Sequence, residues 1–118
     1  MQINEITVTG NLTKDPEVKY IANGTPVCNL YIAVNRTTKV KGSDEMKKEV
    51  VFINVVVWGK EAERCGETLV KGTEILVIGR LTQRSWEAQD GTKKSVIEIL
   101  GNHVIPTPKK ATEEGGEV

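Results

Sequence analysis

Phe52, Trp58 and Trp86 lie in strand-like segments close to Lys60, Arg80 and Arg84. The chain has only 2 Trp, 2 Tyr and 1 Phe, so rings used purely to build a core should scatter over apolar faces. In residues 51–58 side chains alternate across a sheet, which puts Phe52 and Trp58 on one side. The opposite parity, Val51, Ile53, Val55 and Val57, is wholly apolar and is expected to face a core. Arg80, Arg84 and Trp86 share parity in the same way. Flat rings beside positive charge suit an unpaired nucleic-acid strand: rings stack bases, and cations meet phosphates.

Such a surface needs a sheet to carry it, and the chain is rich in β signals. Ile6 and Val8 alternate with Thr7 and Thr9, and Gly10-Asn11 is expected to bend that strand. Residues 17–21 read as extended after the break at Asp15-Pro16, and Asn23-Gly24 as a hairpin turn. The next strand, 27–35, carries Cys28, Leu30, Ile32 and Val34 on one face. Residues 36–48, with Arg36, Lys39, Lys41, Lys47 and Lys48, read as a flexible basic loop, and 50–58 as a third strand. One helix is expected over 60–70, from the stripe Ala62, Cys65 and Leu69. Gly66 weakens it and Gly72 stands as its C-terminal cap. Residues 74–82 form a fourth strand, Trp86 starts a hairpin arm turning at Asp90-Gly91, and 95–100 return, with a last short strand at 103–105. Three strands, a helix and two more strands match a mainly β, five-stranded Greek-key OB barrel, its helix between strands three and four and one hairpin protruding.

The chain is 118 residues long, which suits one domain over 1–105 followed by a short disordered acidic tail over 106–118. Its 16 basic and 16 acidic residues balance, but Glu113, Glu114 and Glu117 near the end leave residues 1–110 with a cationic excess. Cys28, Cys65 and His103 have no metal-ligand spacing, and Cys28 reads as a small buried hydrophobe. No cofactor or metal is expected. No apolar run approaches about 18 residues and the N-terminus does not read as a signal peptide, so no membrane association and a cytoplasmic location are expected. Enzyme classes lack support: there is no GxxxxGK[ST], no GxGxxG, no nucleophile–base arrangement and no cluster of carboxylates.

The sequence resembles the bacterial-type single-stranded DNA-binding proteins over about residues 3–105. The resemblance rests on Thr9-Gly10-Asn11-Leu12, Asp15-Pro16-Glu17, Lys19-Tyr20, Asn23-Gly24 and Ala33-Val34-Asn35-Arg36, and most specifically on Val57-Trp58-Gly59-Lys60, Leu69-Val70-Lys71-Gly72, Gly79-Arg80-Leu81 and Trp86 before Asp90-Gly91. It implies that Phe52, Trp58 and Trp86 stack bases, and that Lys19, Arg36, Lys60, Lys71, Arg80 and Arg84 lie along the strand path. It also implies sequence-independent protection of single-stranded DNA in replication, recombination and repair, association with the nucleoid, and a homo-oligomer, a tetramer before a dimer. Plainer roles stand beside these: Trp58 as a cap on the barrel mouth, Phe52 as core, Lys71 as a charge offsetting the helix dipole, Tyr20 and Tyr31 as packing or interface residues. The rival function is a dimeric OB-fold primosomal protein that bridges partners; the complete ring set argues against it. Two departures from the family matter. Thr37 or Thr38 stands where many members have a further Trp, and the ending Glu-Glu-Gly-Gly-Glu-Val lacks the Pro-Phe tip through which members recruit replication and repair proteins.

Overall fold

The computed structural model describes residues 1–107. Its elements are β1 (Ile6–Leu12), β2 (Glu17–Tyr20), β3 (Pro26–Lys39), β4 (Met46–Trp58), α1 (Lys60–Thr68), β5 (Glu74–Glu87) and β6 (Lys93–Pro106). The strands follow one another around the sheet in the order β1, β5, β6, β4, β3, and β1 then meets β3 to close a five-stranded barrel. β2 is a short addition on the outer edge of β3. Closure occurs at the C-terminal end of β1, where Asn11 lies opposite both Glu74 and Ala33. All pairings are antiparallel except β4 with β6, which run parallel at Val55/Ile99 and Val56/Leu100. This is the expected OB arrangement.

The alternation of β3 and β4 sends Cys28, Leu30, Ile32, Val55 and Val57 inward, where they meet Ile75, Val77, Ile99 and Val104 from β5 and β6. Removing one of these side chains, as in Ile99→Ala, is expected to cost about 2–5 kcal/mol. Helix α1 closes one end of the barrel with Ala62, Cys65 and then Leu69, all buried. The turn from β4 into α1 needs a glycine, because Gly59 has φ 70 and ψ −141, a region closed to side chains with a Cβ. Gly66 has a second role besides weakening the helix: a Cβ there would overlap the Val18 side chain, so its absence lets α1 settle against β2. Glu61 accepts the Val104 amide at 2.9 Å and also binds Arg64, tying α1 to β6. The two cysteines are free and fully buried; burial foremost pushes the Cys28 thiol up to about 11 and the Cys65 thiol to about 12. Both act as small apolar residues, as Cys28 was expected to.

The largest departure from the sequence reading is at the hairpins. Residues 36–48 are not a flexible loop. β3 continues to Lys39 and β4 begins at Met46, with Arg36 opposite Glu49 and Thr38 opposite Lys47, so that only a short turn remains. The fourth strand likewise runs past Thr82 to Glu87, and the two short final strands are one, Lys93–Pro106, with an irregularity at Ile78/Gly79. These outer arms have solvent on both faces, so nothing imposes the alternation by which a strand is recognised. Val51 shows the same boundary: it has core parity but is 58% exposed, because it lies beyond the barrel wall, whereas Val55 and Val57 are sealed. The helix is two residues shorter than expected, with Leu69 already extended. The turns at Asn23-Gly24 and Asp90-Gly91 form as read, each with the Asn or Asp side chain accepting the backbone amide two residues on, Thr25 and Thr92. Strand β6 extends one residue past the expected domain end, and Thr107 bonds Glu74. The rest of the expected disordered tail lies outside the described residues.

Candidate nucleic-acid interface

The inward set of β3 and β4 leaves the other parity facing out, and the register shows what shares that face. Trp58 lies opposite Val27, which in turn lies opposite Lys19. Phe52 lies opposite Ala33, and Tyr31 opposite Asn54. Across the parallel seam, Val56 meets Leu100, and Leu100 lies opposite Arg80. Along the β5–β6 arm come Arg84 opposite Val96 and Trp86 opposite Lys94. Directly opposed residues project on the same side. One outer face therefore carries all three rings together with Lys19, Arg80 and Arg84. Phe52, Trp58 and Trp86 are 70%, 47% and 41% exposed, so none is a core residue.

Three other cations from the sequence reading fall differently. Lys60 is exposed in the first turn of α1, directly after Trp58 and Gly59. Lys71 is not within α1, whose last turn holds no base; it lies in the turn beyond it, its amide donating to Asp15 at 2.8 Å. That turn is bonded to Leu12 and Asn11, and Asn11 pairs with Ala33, the neighbour of Phe52. Lys71 is thus placed by the closure of the barrel. Arg36 is the exception. Its parity in β3 is that of Ile32 and Val34, so it projects from the arm on the side opposite Phe52, with Glu49 across from it. Lys39 and Lys48 have the parity of Phe52 instead.

A polar chain stitches this face together. Glu98 on β6 is 5% exposed. Its carboxylate accepts Arg84 Nε at 3.3 Å and Nη2 at 3.1 Å, and also Asn54 Nδ2 at 2.9 Å. The same Asn54 amide donates to Asn29 Oδ1 at 2.9 Å. Burial opposes the charged carboxylate, but the Arg84 and Asn54 donors outweigh it and hold Glu98 below its usual range. Arg84 in return lies over the Trp86 ring, Cζ 4.8 Å from its centroid. Asn54 Oδ1 is buried without a hydrogen-bond partner among the described residues. Glu98 and Asn54 carried no sequence signal as members of the site; each reads as an ordinary strand residue until the register sets them side by side. Lys14 and Tyr31 were also not placed on this path by the sequence, yet the Lys14 ammonium stands 4.1 Å from the Tyr31 centroid.

This face thus sets exposed aromatic rings and cationic side chains side by side. Among the described residues no group of three or more His, Cys, Asp or Glu could hold a metal ion, and no helix is long and apolar enough to cross a membrane. The sequence profile of the single-strand binding protein family matches residues 3–106. The chain belongs to this family. Relatives include the single-stranded DNA-binding protein 2 of Clostridium acetobutylicum, 44% identical over 86% of this chain and 74% of its own length. That of Chlorobaculum tepidum is 40% identical, over 87% of this chain and 70% of its own length. A solved Plasmodium falciparum SSB in complex with ssDNA superposes with a TM-score of 0.82 at 22% identity, covering 92% of this chain and 97% of that one, which shows a common fold.

Proposed function

We propose that this chain binds single-stranded DNA without reading its sequence and does no chemistry on it. The observation that carries this is the sharing of one outer sheet face by Phe52, Trp58, Trp86, Lys19, Arg80 and Arg84. Lys60 and Lys71 border that face, and Arg36 meets a strand that wraps the arm. Each ring adds roughly 1–3 kcal/mol per stacked base, whatever the base. Each cation that meets a phosphate releases a counterion, which makes affinity fall with salt. Binding only the unpaired form melts hairpins and shields exposed strands by mass action, the service needed in replication, recombination and repair. The names of the relatives at 40–44% identity support the same reading.

The protein acts as a homo-oligomer, a tetramer in the first instance, at the nucleoid in the cytoplasm. Strand β1 supports assembly: over Ile6–Gly10 it pairs with β5 on one side, and among the described residues no strand covers the other. Titration of a labelled dT oligomer at low and high salt tests the binding, and sedimentation in the same buffers tests the assembly. Tight binding that weakens steeply with salt is the expected result; no binding at low salt overturns the proposal.

A further inference from the structure

The face holds a fourth ring. Tyr31 lies directly opposite Asn54, one step along β3 from the Ala33/Phe52 pair. Tyr31 and Phe52 line one open depression with Thr13 and Asn54. The chain around Tyr31 is fixed. Its carbonyl accepts both the Thr13 amide, at 2.8 Å, and the Thr13 hydroxyl, at 3.1 Å. With Thr13 held by these two hydrogen bonds, the next residue, Lys14, stands over the ring. The cover itself is loosely held: the Lys14 side chain is 52% exposed, and its acidic partner Glu17, at 3.7 Å, is 44% exposed. Such surface pairs are worth little. Asn54, opposite Tyr31, donates to the same Glu98 carboxylate that holds Arg84, which links the ring's surroundings to the Arg84–Trp86 pair.

We propose that Tyr31 is a further stacking platform of the strand path, with Lys14 as its removable cover. A base takes the place of the Lys14 ammonium on the ring, and the ammonium turns outward to an adjoining phosphate. The exchange replaces one cation–π contact with a stacked base plus a phosphate contact, so both residues add to affinity and only Lys14 adds to its salt dependence. Tyr31 thereby extends the row between Phe52 and the Arg84–Trp86 pair. This rests on the single-stranded DNA reading above.

The test compares the full chain with Tyr31→Leu, Tyr31→Phe, Lys14→Gln and the control Trp58→Ala, by anisotropy of a labelled dT oligomer over a salt series. Tyr31→Leu is expected to weaken binding about tenfold with the salt slope unchanged, and Tyr31→Phe to bind as the parent does. Lys14→Gln is expected to lower the slope by about 0.7. A second measurement needs no ring removed. In protein labelled with 3-fluorotyrosine, assigned by Tyr31→Phe, the Tyr31 fluorine resonance is expected to shift on adding the oligomer. If Trp58→Ala weakens binding while Tyr31→Leu stays within twofold and the resonance does not move, the inference falls and the DNA reading stands. If Lys14→Gln leaves the slope unchanged, the removable cover falls. If the parent does not bind at low salt, both readings fall together.

Discussion

Trp58 and Trp86 occupy the same sheet face but are secured by different means. Trp58 ends a strand whose inward residues, Val55 and Val57, are fully buried, so packing fixes the backbone behind it. Trp86 is on an arm past the barrel wall, where β5 and β6 have no core to lean on. There an ion pair does the fixing: Glu98 holds Arg84, and Arg84 stands over the indole. A ring backed by a core should be insensitive to pH and salt, whereas a ring held through charges should respond to both. One binding face thus combines a rigid station with an adjustable one.

The comparison sharpens first at the rings themselves. Trp58→Ala should cost the most affinity, about 2–3 kcal/mol, and Trp86→Ala less, about 1–2 kcal/mol, because an arm without a core gives up more ordering entropy on binding. Anisotropy titration of a labelled oligomer reads both, and equal losses would erase the contrast between the two stations. Next comes Glu98→Gln, expected to lower stability by roughly 1–2 kcal/mol at neutral pH in thermal unfolding, since Arg84 loses its counter-charge. The sign of its pH dependence follows from the depressed carboxyl. The stabilisation is present above the unfolded value of about 4.3 and is lost as pH falls through the lower folded one. Wild type should therefore lose stability between about pH 5 and pH 3 more steeply than Glu98→Gln. Glu61, depressed chiefly by its bond from Arg64, leaves a residual slope in both. The smallest effect is in counterions. Lys60→Gln should lower the salt slope by about 0.7 and Arg84→Gln by less, because Glu98 already meets the Arg84 charge. Identical decrements would show that Arg84 contacts phosphate as freely as Lys60.

The barrel was legible because its inner face must be apolar: Cys28, Leu30, Ile32, Val55 and Val57 announce their strands by alternation alone. The same parity set Phe52 and Trp58 outward. Parity also sets Trp86 beside Arg84, but it does not carry the strand on to Glu87, since Gln83, Arg84 and Ser85 show no periodic signal where both faces are wet. The paired ends Lys39 and Met46 carry no strand signal for the same reason. The polar chain from Asn29 to Arg84 was beyond reach for another cause. It joins four strands through a parallel seam between β4 and β6, and the meeting of residues 54 and 98 depends on that long-range pairing rather than on any local pattern.

The sealed thiols of Cys28 and Cys65 carry a practical consequence. An alkylating reagent at mildly alkaline pH needs a thiolate it can touch, and each sulfur offers neither while the barrel stays shut. Labelling rates at these two positions therefore clock the opening of the whole wall. They supply a reporter of integrity that no change at the outer rings perturbs directly.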